Sequence, residues 1–301
     1  MTRRHGLCTL AVSILALSGC SPGGSSPPAP GVGDSPTSPP QTERAAITAL
    51  DAPTFTIRIP IALIDAGNPP EGALTMRAAA EDREPEGPQS FDVLDDGGFL
   101  IADPLRERLL EYSADGTFRR AVPIDVPASS VTVIGASQVE VVSAATGVIQ
   151  MFNERGGRVG GPRTESAISG AGAPDVVLDS AQSGVITWPN APGALAPPRP
   201  ELKVTLPELG QRLASLQVIQ SDAADEVFVA MESTDAAGRT LIELRKTVRR
   251  YGATGLLEAE IRNIAVDNYI APNTEFRVLR GVLYQMYSRE KEVLINGWRI
   301  R

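Results

Sequence analysis

The sequence predicts an all-β chain: a β-propeller of five to six four-stranded blades, its ring closed by an N-terminal strand joining the C-terminal blade. Three observations predict it. Short β-prone runs alternate with tight turns over most of the chain, and no long amphipathic helix is visible. The stretch Gly98–Phe118, GFLIADPLRERLLEYSADGTF, returns without a gap 40 residues later as Val139–Arg158. Asp103, Arg108, Tyr112 and Gly116 become Ser143, Val148, Phe152 and Gly156, and self-similarity at such a period marks propellers and related arrays. Finally, a strand with an outer-strand pattern stands at Thr54–Ile61, ahead of any blade of its own.

The chain begins with an export signal. Arg3 and Arg4 precede an apolar run, Leu7–Leu17, that ends in Leu17-Ser18-Gly19-Cys20. A basic start, a short apolar run and small residues before a cut describe a secretory signal over residues 1–19. The run is too short to stay in a bilayer as a spanning helix. Leu17–Cys20 resembles the bacterial lipobox, in which a lipid-modified cysteine becomes residue one of the mature protein; the plain alternative is a signal peptide that happens to hold a cysteine. The resemblance implies a diacylglyceryl group on Cys20, hence palmitate-type chains and a lasting membrane anchor, since two chains hold where one does not. Thr2-Arg3-Arg4 also resembles a twin-arginine signal, so both export routes stay open. Ser21, rather than Asp, after Cys20 leans the lipoprotein sorting pattern to the outer membrane in a cell that has one. The expected location is the cell envelope, on the non-cytoplasmic side.

Residues 20–52 read as the lipidated cysteine and a linker. Ser21–Pro40 holds seven Pro, five Ser and four Gly, a composition that cannot bury a core. Counted from Ser21 to Asp51, the tether as a coil would hold the domain about 30 Å from the lipid, and further if stretched as polyproline.

Loss of the signal removes His5 and Cys8, leaving no histidine and one cysteine, the lipidated Cys20. Disulfides, Ser-His-Asp and Cys-His nucleophile systems, and His- or Cys-ligated zinc are thereby excluded. The whole chain carries 28 basic and 36 acidic residues; without Arg3 and Arg4 the balance is 26 against 36, a formal charge of −10. Nucleic acid would be repelled, and a polybasic membrane patch is absent.

The propeller domain is expected over 53–301. Thr54–Ile61 alternates polar Thr54, Thr56 and Arg58 with apolar Phe55, Ile57, Ile59 and Ile61, a half-buried strand, and Pro60 puts it on a sheet edge. Thr117-Phe118 with Val122-Pro123-Ile124 repeats its spacing, and Lys203–Pro207 ends the same way, so all three read as outer strands. Blades are expected at Gln89–Ile124, Val131–Gly160, around Val176–Trp188, at Leu216–Ile261 with a long excursion Glu232–Arg239, and at Glu275–Ile295. The last has three strands of its own, and Thr54–Ile61 supplies its fourth, which removes the exposed edges of an open array. The third strand of the third blade is lost in the proline-rich run Pro189–Pro200, and a sixth blade has room in Ile64–Pro88.

Gly98-Phe99-Leu100-Ile101-Ala102-Asp103, four residues, Arg108-Leu109, then Tyr112 and Asp115-Gly116 resembles the NHL repeat of β-propellers. The second and fourth repeats match at the aromatic and glycine positions; the others match only in strand pattern. The resemblance implies structural roles: an Asp103–Arg108 pair bracing two strands across a turn, and Tyr112 packed between blades. Ser143 and Val148 in the second repeat show that the pair is not needed in every blade.

Two functions follow from a propeller on a lipid tether. The first is a non-catalytic binding or scaffold module for an envelope protein or glycan, presenting loops at the channel mouth. Its candidate residues are Glu81, Asp82 and Arg83 in the long Ile64–Pro88 connection, Arg106 and Glu107 after Asp103, Asp235 and Arg239 in the fourth blade's excursion, and Arg289 in Ser288–Lys291. Trp188 and Trp298 are candidates for a sugar-stacking platform, with core packing as the alternative. The second function resembles the calcium-dependent gluconolactonase and paraoxonase propellers, which need oxygen ligands from several inner strands; Gln89, Ser90, Asp92, Ser130, Asp175, Gln217 and Glu275 stand at the starts of such strands. That set holds few carboxylates, so no metal, cofactor or catalytic residue is assigned. Arg119-Arg120 and Arg249-Arg250 read as edge-protecting charges.

Overall fold

Strands and two short 3-10 turns make up the regular structure of the described residues, and no α-helix occurs among them. The computed structural model describes residues 47–135, 137–164, 174–188, 201–206, 210–219, 226–235 and 243–300. Cys20, the signal, most of the linker and Arg239 lie outside that set. All described residues belong to one unit, 45–301.

Three strands lead the chain: β1 (Thr48–Leu50), β2 (Phe55–Leu63) and β3 (Leu74–Met76). The first sheet is β4 (Phe91–Val93), β5 (Phe99–Asp103), β6 (Arg108–Tyr112) and β7 (Phe118–Pro123). The second is β8 (Ala128–Ile134), β9 (Gln138–Ser143), β10 (Ile149–Asn153) and β11 (Arg158–Arg163). The third is β12 (Asp175–Leu178), β13 (Ser183–Thr187) and β14 (Leu202–Thr205). The fourth is β15 (Gln211–Ile219), β16 (Val227–Asp235), β17 (Leu244–Tyr251) and β18 (Leu257–Ile264), and the fifth is β19 (Phe276–Leu279), β20 (Val282–Ser288) and β21 (Glu292–Arg299). Within each sheet these strands pair antiparallel in sequence order, a propeller-type all-β arrangement.

The leading strands dock onto the last sheets. β2 pairs antiparallel with β21, from Phe55 opposite Gly297 to Pro60 opposite Glu292. Its alternation explains the fit: Ile57 and Ile59 are buried, whereas Thr56 bonds Asn296 at 2.9 Å and Arg58 meets Glu292 at 2.6 Å on the outer side. Burying two isoleucines contributes about 3–6 kcal/mol. β3 joins β2 in parallel only from Ile61 onward, so Pro60, with no N–H to donate, sits just before that pairing starts.

Four buried apolar clusters join the sheets face to face. Ile57, Leu74, Phe91, Tyr112, Met286 and Val293 join the fifth to the first. Leu100, Leu109, Val131, Val141 and Phe152 join the first to the second. Phe228, Val248, Ile261, Leu283 and Trp298 join the fourth to the fifth, and Ile186, Val204, Val229 and Tyr251 join the third to the fourth.

The structure corrects several expectations. Ile64–Pro88 makes no sixth sheet; it supplies β3 and a small hairpin. The linker is structured earlier than expected, because Thr48–Leu50 pairs in parallel with Ala259–Ile261. Glu232–Asp235 is no excursion but the end of β16, with Glu232, Ser233 and Thr234 laddered to Lys246, Arg245 and Leu244, because buried Lys246 partners Glu232 and makes a polar strand end stable. In the third sheet, Leu206 N–H donates to Gln182 O as Ile124 N–H donates to Glu107 O in the first. β12, β13 and β14 thus take the places of β5, β6 and β7, and the edge strand β14 is the expected outer strand. Asp175 therefore opens a second strand, not an inner one. Residues 165–173 and the run 189–200 are outside the described set. Trp298 is buried and Trp188 packs against the cluster between the third and fourth sheets, so no aromatic platform forms. Arg249 is interior rather than edge-protecting, since β17 lies between β16 and β18.

Candidate functional site

The long connection from Ile64 to Pro88 is fixed at its base by the first sheet. Asp103 and Arg108 pair directly across the β5–β6 turn, and Arg108 Nε donates to Asp103 Oδ2 at 2.8 Å. The other two guanidinium nitrogens donate to the backbone oxygens of Glu71, at 2.9 Å, and Ala73, at 2.8 Å. Asp103 Oδ1 accepts from the Thr75 hydroxyl and from Thr75 N–H. Tyr112 lies in the cluster between the fifth and first sheets, and its hydroxyl donates to Gly72 O at 3.2 Å. Gly72 has no side chain to spare, because a Cβ there would lie 2.7 Å from the Phe118 ring. The expected brace across the turn is present, and it also clamps the strand that enters the connection.

Beyond this clamp the chain forms a hairpin, with Arg77 bridged to Glu86 through backbone and side chain and Ala80 bridged to Arg83. Glu81, Asp82 and Arg83 are its exposed tip, with Glu84 next to them. The returning strand is tied down in turn, as Asn273 and Thr274 N–H both donate to Gln89 O.

Opposite the hairpin, the loop linking the fourth and fifth sheets is laced to the end of β20. Tyr269 N–H donates to Ser288 O, Ile270 N–H donates to Ser288 Oγ, and Ser288 N–H donates to Asn268 Oδ1. The Tyr287 hydroxyl donates to Asp267 Oδ1 at 2.6 Å. That bond holds the Asp267 carboxyl below its usual range. Burial, with Asp267 opposite, pushes the Tyr287 phenol up. Arg289 lies over the Tyr287 ring at 5.5 Å. Hairpin and loop flank a shallow, open cleft of about 660 Å³, lined by Ala79 and Pro85 on one side and Asp267, Tyr269, Tyr287 and Arg289 on the other.

The structure thus brings together two of the candidate groups, the hairpin bearing Glu81, Asp82 and Arg83, and Arg289. Arg106 and Glu107 are exposed on the turn after Asp103, where Glu107 takes a left-handed conformation at φ 47°. Asp235 is elsewhere, on the fourth sheet, 3.7 Å from Arg245, beside a second cavity of about 690 Å³ lined by Arg245, Arg249, Glu260 and Arg262. Asp267, Tyr269 and Tyr287 were not among the candidates. The signal for the first two was a short polar run ending in an aromatic, Asp267-Asn268-Tyr269, in a loop between strands; Tyr287 lies within β20 and carried no such signal.

Three of the calcium-type donors are engaged by protein partners. Asp92 binds Arg277 at 3.0 Å and accepts from Val133 N–H, and Ser90 bonds Thr274 and Val131 N–H. Glu275 binds buried Lys246 at 2.5 Å and accepts from Gln285. Among the described residues no group of three or more His, Cys, Asp or Glu side chains is placed to hold a metal ion.

No protein-family model and no curated protein matches the chain. Solved structures similar in fold include BamB from Moraxella catarrhalis (9% identity, 70% of this chain and 83% of that one, TM-score 0.29) and virginiamycin B lyase from Staphylococcus aureus (13%, 71% and 85%, 0.29). Hsv2 from Kluyveromyces lactis is a third (8%, 66% and 71%, 0.30). The propeller-type fold stands on the sheet pairings themselves.

Proposed function

We propose that this chain is an exported lipoprotein, anchored through Cys20 on the non-cytoplasmic side of the envelope, whose NHL-like propeller is a non-catalytic binding or scaffold module for an envelope partner. Residues 1–19 act as the signal, and the Pro-, Ser- and Gly-rich stretch after Cys20 acts as the tether.

The observation that carries this reading is the division of labour among charged side chains. Those inside the domain brace it: Asp103 with Arg108, Asp92 with Arg277, Glu275 with Lys246, and Glu260 with Arg249 and Arg262. Two of the three carboxylates a calcium-dependent hydrolase would use, Asp92 and Glu275, are already paired in this way, which favours the module over the hydrolase. The tip charges Glu81–Glu84, by contrast, have no ion pair among the described residues and stand beside an open cleft on a fixed hairpin.

The test uses the full chain in cells. Labelling with a palmitate analogue should tag the wild type and not Cys20→Ser, which should leave the membrane fraction. A photo-crosslinker at position 79 should give one discrete adduct. Membrane retention of an untagged Cys20→Ser protein would remove the anchor from the account. A clear rise in Tm with calcium would return the hydrolase reading.

A further inference from the structure

The cleft between the hairpin and the 267–269 loop has an apolar floor and an acidic rim. Ala79, Pro85, Tyr269 and Tyr287 supply the floor. Glu81, Asp82 and Glu84, on the exposed tip that joins Ala79 to Pro85, and Asp267 and Glu290 in the opposite lining supply five carboxylates against two guanidinium groups, Arg83 and Arg289, and the exposed Lys291 ammonium. One of those two, Arg289, is already drawn onto the Tyr287 ring and lies 3.8 Å from Glu292. The protein therefore shows in cis what this surface attracts: a cationic head over a tyrosine face, with carboxylates close by.

We propose that the cleft docks an extended lysine- or arginine-bearing segment of a protein partner. The proposal rests on the module reading and names the chemistry of its ligand. Charge complementarity selects the occupant, because a neutral glycan would leave the rim carboxylates unmatched, and an acidic segment would be repelled. The floor then takes the aliphatic stems of the basic side chains while their heads reach the rim. The clamp formed by Arg108, Asp103 and Thr75, and the lacing of the 267–270 loop to Ser288, hold both walls before the ligand arrives, which lowers the ordering cost of binding.

The test is fluorescence anisotropy on the detergent-solubilised full chain with a labelled, lysine-rich twelve-residue peptide. Its glutamate counterpart and chitohexaose serve as the other arms. The lysine peptide should bind, and its affinity should fall about tenfold when Glu81→Gln, Asp82→Asn and Glu84→Gln are combined. Affinity should also fall several-fold as salt rises from about 50 to about 300 mM. Asp95→Asn with Glu154→Gln, exposed carboxylates on turns at the other end of the first two sheets, should leave binding unchanged. Equal binding by the rim variant, an equal loss in the control variant, or binding of the glycan in place of the peptide would each overturn the proposal. If the position-79 adduct persists alongside such a result, the module reading survives with a different ligand; if the adduct is also absent, both fall.

Discussion

Gly116 meets Ile57: a Cβ on the glycine would lie 2.5 Å from the isoleucine Cγ2. Forty residues later Gly156 meets Pro123 in the same way, with a Cβ 1.9 Å from the backbone oxygen. The turn of the second sheet thus seats on the outer strand of the first, and the turn of the first seats on β2. By this contact β2 serves as the outer strand of the sheet that precedes the first, although it comes from the other end of the chain. Both glycines have positive φ, +85° and +79°. Gly116→Ala and Gly156→Ala should each lower unfolding free energy by about 2–4 kcal/mol, from overpacking plus backbone strain. Urea denaturation checks this. Ile57→Ala combined with Gly116→Ala should cost clearly less than the two single losses added together, because the change at Ile57 removes the methyl against which the change at Gly116 clashes.

What the sequence disclosed follows from how each strand is stabilised. Thr54–Ile61 was legible because its burial alternates with its polarity, and its partner in the last sheet followed from the strand that sheet lacked. Thr48–Leu50 was not legible, since three residues paired at an edge carry no periodicity. β3 was hidden because Leu74, Thr75 and Met76 are all buried, and buried Thr75 makes sense only with Asp103 beside it. The end of β16 read as a loop because Glu232 looks solvated until Lys246 and Ser215 are seen to bind it. In the site, the hairpin tip and Arg289 were legible as charged loop residues. That they share a cleft with Tyr269 and Tyr287 was not, because the elements meet only through the fold.

The Asp103–Arg108 pair is fully enclosed, so its two halves should respond unequally to substitution. Arg108→Met leaves a buried carboxylate beside Thr75 and frees the carbonyls of Glu71 and Ala73, at a cost of about 3–5 kcal/mol. Asp103→Asn keeps the shape and an acceptor for Thr75; its amide NH2 then faces Arg108 Nε–H, but the guanidinium keeps the Glu71 and Ala73 carbonyls, so the cost should be about 2–3 kcal/mol. Chemical denaturation of the two variants gives the order. Limited proteolysis near Glu81 should accelerate in Arg108→Met, since the base of the hairpin loosens.

Stability should fall at both ends of the pH scale. Burial pushes the Glu260 carboxyl up, but hydrogen bonds and charge from Arg262 and Arg249 outweigh it and hold the group below its ordinary value of 4.5. A depressed carboxyl stabilises the fold above its unfolded pKa and loses that contribution as pH falls through the folded one, so acid loss should begin below about pH 4.5. Glu260→Gln should flatten that limb. At the other end, burial pushes the phenols of Tyr112, Tyr251 and Tyr284 above 10. A raised phenol leaves stability intact below about pH 10 and removes it as pH climbs through the folded value. Tyr112→Phe should make the alkaline limb shallower, as followed by Tm against pH.

The most direct measurement concerns where the first long strand docks. Thr56 and Asn296 lie opposite each other in the β2–β21 ladder, with their side chains 2.9 Å apart. The double variant Thr56→Cys/Asn296→Cys, purified without reductant and mapped by peptide mass spectrometry, should carry a disulfide between positions 56 and 296 in most folded molecules. Free thiols at both positions in folded protein would contradict the account.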